Sequence, residues 1–295
     1  MARRSRRESE LPHGPLHAVL IAATIFTLYP VLWVVSIAFS GRQSLAIADL
    51  PAEPRVADRL RAITPWPEHW TISNFTSVLT DQPFGRWILN SLIVAVCTTV
   101  LGVFLSCTAA YAFSRFKFPG RRTGMMAFLV SQMFPGGLML IPLYIIIVQV
   151  LGLGSSLLGL IIVYGTTAIP FSVWMLKGYF DTIPRELEEA AIIEGASAGL
   201  IFRRIVLPLA KPAIAITALF SFMTSWNEFI LAATFMDKED MYTAPVGLRF
   251  FVGGFSQQWG YFAAGSIIVS IPIVFLFLYL QKYLVSGLTA GSVKG

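Results

Sequence analysis

The sequence predicts an all-α membrane protein of six transmembrane helices, with both chain ends on the inner side. Three observations predict it. Of the 295 residues, 56% are apolar and 13% charged, with a mean hydropathy of +0.70; soluble domains carry about 25% charged residues. Six apolar runs reach the roughly 20 residues that a bilayer-crossing helix needs. They lie at 16–39, 87–113, 124–150, 157–176, 213–236 and 261–284. Lys and Arg then gather on alternate connections. Residues 1–15, 114–123, 177–212 and 285–295, with Lys282 at the last helix end, hold 15 of the 22 basic residues. That bias sets an N-in, C-in orientation. Membrane lipid accounts for the net charge of +6, and no nucleic acid need be invoked.

Each element follows in chain order. The inner N-terminus, 1–15, carries the anchor Arg3, Arg4, Arg6 and Arg7. The first run is too long for the apolar part of a signal peptide and ends without a small-residue cleavage site. The outer loop 40–86 is rich in Pro and Trp but short for a domain. Cys97 and Cys107 lie ten residues apart in the second run, roughly 15 Å along a helix. No intrachain bridge spans that distance, so both read as small core residues. Trp87, Trp259 and Tyr261 stand at run ends, as interfacial anchors do, with sugar stacking as the alternative. The third run contains Phe134-Pro135-Gly136-Gly137 and Pro142, which bend or break a helix. The break is either a packing kink or a hinge in a pore wall. Residues 151–156 form a Gly-rich outer turn.

In the fifth run Glu228 is the one ionisable residue well inside a span. Thr217, Ser221 and Glu228 are spaced 4 and 7 apart and share a helical face. Exposing such a carboxylate to lipid would cost about 3 kcal/mol or more. Glu228, Ser221 and Asn227 are therefore candidates for a substrate path, with a hydrogen bond to a partner helix as the alternative for Glu228. An outer loop, 237–260, and an inner tail, 285–295, complete the six-helix domain of 16–284.

The inner segment 177–212 reads KGYFDTIPRELEEAAIIEGASAGLIFRRIVLPLAKP. Asp181 or Thr182 can cap a helix with Pro184 in its first turn. Glu186, Glu188 and Glu189 then lie near its positive end. Gly195 ends that helix. Ser197 starts a second short helix, with Arg203 and Arg204 near its negative end, and Pro208 limits it. Two capped helices joined at a glycine make a shaped surface, which a mere connector does not need.

The chain has no G-x-x-x-x-G-K-[ST] phosphate loop. Its histidines, His13, His17 and His69, sit near an end or in a loop, and no Cys/His spacing points to a metal. No Ser/His/Asp set is visible. A transport protein is expected rather than an enzyme. It is either a permease subunit driven by a partner or a self-sufficient secondary transporter. The second should show internal symmetry and midplane charges in several helices; this chain has no internal repeat and one intramembrane carboxylate.

Glu189-Ala190-Ala191, then Gly195, then Leu207-Pro208 match the EAA motif of ABC importer permeases, at its usual place between the fourth and fifth spans. The ending SGLTAGSVKG, with AFSRFKFPG at 112–120, KGYF at 177–180 and WGYFAA at 259–264, resembles the MalG-like permeases of maltose and maltodextrin importers. The resemblance covers nearly the whole chain. Glu194 stands where many members have Asp. Ser225-Trp226-Asn227-Glu228-Phe229 is closer to permeases for other oligosaccharides, so the sugar stays open between maltodextrins and relatives such as trehalose.

The resemblance implies an ABC type I importer permease fold in the cytoplasmic (inner) membrane, moving an oligosaccharide inward. It implies a MalF-like second permease, a homodimer of a MalK-like ATPase and an extracytoplasmic sugar-binding protein. ATP-Mg then belongs to the ATPase, and this chain binds no cofactor. Glu189, Ala190, Ala191, Gly195, Leu207 and Pro208 would dock the ATPase. Phe251, Gly253, Gly254 and Gln257 would meet the binding protein. The tail, with Leu288, Thr289, Gly291 and Lys294, would run between the ATPases.

Overall fold

The structure, a computed structural model, describes residues 13–254 and 257–292, with side chains from 14 to 254 and from 257 to 282. Every regular element among the described residues is helical. The chain divides into two compact units, 1–82 with 251–268 and 83–250 with 269–295.

In the first unit, α1 (His13–Phe39) is apolar all round, and its most apolar stretch has no buried residue. Its C-terminal end is held. The Asn74 amide donates to the carbonyls of Ala38 (3.0 Å) and Ile37 (3.4 Å), and the Thr71 N–H donates to Phe39 at 2.8 Å. Phe39 packs against the rings of Trp70 and Phe75. The short helices α2 (Val56–Ile63) and α3 (Ser73–Thr80) lie in the outer loop. Arg42 and Arg61 both pair with Glu68 there.

In the second unit, α4 (Phe84–Arg115) runs along α7 (Leu157–Phe180) and α11 (Lys211–Asn227). Ser91, Ala95, Gly102, Ser106 and Ala110 are buried along α4. Small residues in such a stripe let helix backbones approach closely, which is how membrane helices gain packing contact.

The third run is not one helix. α5 (Arg121–Ser131) and α6 (Gly136–Tyr144), which continues as a π-helical turn over Ile145–Val150, meet at 101°. The break falls at 132–135, taking in the expected Phe134-Pro135 step, while Gly136 and Gly137 open α6 and Pro142 lies inside it. The fifth run is also interrupted. α11 ends at Asn227, and α12 (Ile230–Phe235) restarts after an extended Glu228. α8 (Glu186–Ile193), α9 (Ala198–Ile201) and α10 (Leu207–Leu209) precede it, with a π-helical turn over Phe202–Val206. Among the described residues four helices are long and apolar enough to cross a membrane, and six if each bent pair is one span.

Trp87 departs from the sequence expectation. It is fully buried rather than interfacial. Its indole N–H donates to the Glu239 carbonyl at 2.8 Å, and its ring stacks on Phe250 of α13 (Ala244–Phe250). A Cβ added at Gly247 would come within 2.0 Å of that ring, so the close approach of α13 to α4 needs glycine there. The last helix, α14 (Trp259–Ser292), outruns its expected end at 284. The backbone at Leu288, Thr289 and Gly291 is therefore helical and not a separate tail; Lys294 lies outside the described residues.

Candidate functional site

The segment 177–212 folds as two short helices, though not with the expected start. α8 begins at Glu186, so Pro184 lies outside it and neither Asp181 nor Thr182 caps it. Asp181 instead pairs with Lys177 and accepts the Ser114 hydroxyl at 2.6 Å. Burial alone would raise the Asp181 pKa. Hydrogen bonds from Lys177 and Ser114, with the charges of Lys177 and Arg115, outweigh it and bring the carboxyl below its usual range.

α8 ends as the sequence predicts. Gly195 has φ +85°. Its N–H donates to Ile192, and the N–H of Ala196 donates to Ala191, both at 2.9 Å. This paired closure satisfies two helix-end carbonyls and needs a left-handed residue. Ser197 then starts α9, whose N–H groups at Leu200 and Ile201 return to the Ser197 carbonyl. After Pro208 the chain turns at Ala210, and Ala198–Leu209 meets α11 at 78°. The segment is therefore not a straight continuation of α11.

Its residues divide by burial. Ile201, Val206 and Ile183 are buried with Tyr111, Leu176 and Phe180 from the ends of α4 and α7. Leu187, Ile192, Ile193 and Leu200 are exposed along the two helices, Ile193 at 87%. Glu189 and Ala190 are exposed beside them, Ala191 is half-buried, and Gly195, Leu207 and Pro208 lie exposed or half-buried. Glu189 and Ile192 also line a cleft of about 290 Å³ with Tyr111, Arg115, Glu188 and Ile201.

Sequence reasoning missed the buried ionic centre of this segment. The acid held inside is Glu188, one residue before the motif. It pairs with Arg115 of α4 at 2.6 Å, with the two side chains 10% and 8% exposed. The Tyr111 hydroxyl donates to its other oxygen at 3.3 Å. Three glutamates in four residues gave no means of telling which would turn inward.

The intramembrane candidates separate. Ser221 is buried, and a Cβ at Gly102 would lie 3.8 Å from its hydroxyl. Asn227 is exposed at the end of α11. Glu228 is not on the helical face of Thr217 and Ser221, because the backbone there is extended (φ −69°, ψ 127°). Its carboxylate accepts the N–H groups of Leu231 and Ala232 at 2.8 and 3.1 Å, and the Tyr164 hydroxyl at 2.7 Å. It works as the cap that restarts the broken helix. In the outer loop Gly253, Gly254 and Gln257 are exposed, but Phe251 is 2% exposed and gives no free surface.

Residues 98–290 match the family described as "Binding-protein-dependent transport system inner membrane component". An inner membrane ABC transporter permease protein, YcjP of Escherichia coli (strain K12), is 36% identical over 92% of both chains. The maltodextrin transport system permease protein MdxG of Bacillus subtilis (strain 168) is 39% identical over 77% of this chain and 81% of its own. A chain of a bacterial ABC transporter that imports the acidic polysaccharide alginate shares the fold, with a TM-score of 0.74 at 24% identity over 96% of this chain and 99% of that one.

Proposed function

Because the chain belongs to the family of binding-protein-dependent transport system inner membrane components, we propose that it is the permease subunit through which an ATPase drives uptake of a neutral oligosaccharide of the maltodextrin type. It is a multi-pass inner-membrane permease subunit of an ABC sugar importer and not an enzyme. ATP hydrolysis belongs to a separate subunit, which sets aside the self-sufficient transporter.

One observation carries the coupling role. A segment with a built bend at Gly195 and an inner face packed on α4 and α7 leaves Leu187, Ile192, Ile193 and Leu200 exposed. Several large apolar side chains left exposed on two short helices outside the spans support an interaction site. With N-terminus and C-terminus inside, this face and the basic 114–123 turn lie at the cytoplasmic surface, where the MalK-like ATPase pair would meet them. Glu189, Ala190, Ala191 and Gly195 stand in that surface. A MalF-like second permease completes the path, and Gly253, Gly254 and Gln257 offer the outer contact for the sugar-binding protein. The maltodextrin reading rests on the likeness to a maltodextrin permease.

The test is reconstitution of the four-component importer in liposomes with labelled maltose, maltotriose and trehalose. ATP-dependent accumulation of maltotriose is expected. Accumulation without ATPase, or of none of these sugars, would sink the reading.

A further inference from the structure

We propose that Arg115 is a positioning residue. It ties the docking helix α8 to the inner end of α4, so that movement given to α8 by the ATPase reaches α4 as a rigid body. This rests on the reading of 177–212 as the ATPase-docking segment, and it adds which span that segment drives. Along the chain α8 lies between α7 and α11, and nothing in its sequence position connects it to α4.

The side chains make that connection. The Arg115 guanidinium uses three nitrogens on three partners. Nε donates to Glu188 of α8 at 2.6 Å, Nη1 to the Ser114 hydroxyl at 3.0 Å and Nη2 to the Ile183 carbonyl at 3.1 Å. The Ser114 hydroxyl in turn donates a hydrogen bond to Asp181 at 2.6 Å, and Arg185 donates to the Ser114 carbonyl at 3.3 Å. The end of α4 is thus bonded to residues 181, 183, 185 and 188, the whole approach to α8. Next to it the Tyr111 ring lies 4.7 Å from that of Phe202, beyond α9.

The pair is nearly buried, and that decides its mechanics. Pulling α8 away from α4 would separate two opposite charges whose side chains are only 8% and 10% exposed. Breaking such a pair is far more unfavourable than breaking an exposed one. A planar guanidinium can hold three separate acceptors at once, whereas a lysine ammonium binds as a point charge. The outer face, with Ile193, stays free for the ATPase. α8 therefore has one side for receiving a push and another fixed to α4.

Two measurements on the assembled importer in lipid test this. In a background lacking Cys97 and Cys107, spin labels at Lys117→Cys and Glu186→Cys, both exposed positions, report the distance between the α4 end and α8. It should stay within about 2 Å between the nucleotide-free and ATP-bound states, no more than a small helix shift. A larger change overturns the proposal and needs no change to the ion pair. In the second measurement, Arg115→Met and Glu188→Gln should keep the ATPase bound while sugar moved per ATP falls about tenfold, with Arg115→Lys in between. That ratio is insensitive to how much complex assembles. An unchanged ratio overturns the proposal. Failure of the docking reading shows elsewhere, as an ATPase that binds and drives uptake regardless of Gly195→Val.

Discussion

The Tyr164 hydroxyl donates to the Glu228 carboxylate at 2.7 Å across the point where the fifth span breaks. The same carboxylate holds the first N–H groups of α12. Glu228→Gln keeps an acceptor for these donors and should transport close to normally. Glu228→Leu removes the cap, worth about 0.5–2 kcal/mol, and should lower the amount of assembled permease. Quantifying complex and uptake together separates the cases. A carboxylate that touches the sugar would instead show transport lost in the Gln variant at normal assembly.

Gly195 faces open space, so a side chain there meets no neighbour. Its constraint is φ +85°, which a β-branched residue adopts only at a cost of about 1–2 kcal/mol or more. Gly195→Val should insert normally yet lose ATP-driven uptake, while Gly195→Asn, which tolerates left-handed backbone, should retain most of it. Uptake in membrane vesicles reads the contrast. Equal loss in both would mean that the bend is not what matters.

Gly247 is constrained the other way, by the Trp87 ring. Adding one methyl group forces α13 off α4, and overpacking of this kind costs about 1–3 kcal/mol. Gly247→Ala should lower the thermal midpoint of the purified complex, and Trp87→Leu should partly restore it. Additive losses in the double variant would place the strain elsewhere.

Asp181 titrates below the usual carboxylate range of about 3.8. A folded pKa held down contributes stability above the unfolded value, and that contribution fades as pH falls through the folded one. Acidification below about pH 4 should therefore loosen the junction of α7 with α8. Asp181→Asn should lower stability at neutral pH and flatten the acid limb of the curve. A parallel acid limb in the variant would rule the residue out.

Much of the fold was legible because the signals were local. Apolar length located the spans, Phe134-Pro135 located the break in the third, and Gly195 located the bend between the inner helices. The failures share a physical cause, since each depends on tertiary partners. Trp87 has the sequence context of an interfacial anchor and becomes a core residue only because α13 folds over it. Glu228 fits a helical face by spacing, but no Gly or Pro beside it announces that the helix stops there. Glu188 is distinguished from Glu186 and Glu189 only by where Arg115 lies, 73 residues earlier.

α1 is tied to the outer loop over its C-terminal half: the Tyr29 hydroxyl donates to the Ile63 carbonyl at 2.8 Å and the Trp33 indole N–H to that of Leu45 at 3.2 Å. Lipid tails are as apolar as its side chains, so hydrophobic burial does not draw it onto a neighbouring helix. Asn74 and Thr71 grip its carbonyls at Ile37, Ala38 and Phe39, while Ile21 and Phe26, in the N-terminal half, are exposed. A helix moored over its outer half presents the exposed side chains of its inner half, Ile21 and Phe26 among them, to lipid or to another chain. Substitutions at Ile21 or Phe26 should thus be felt first in which chains co-purify, before they are felt in how this chain folds.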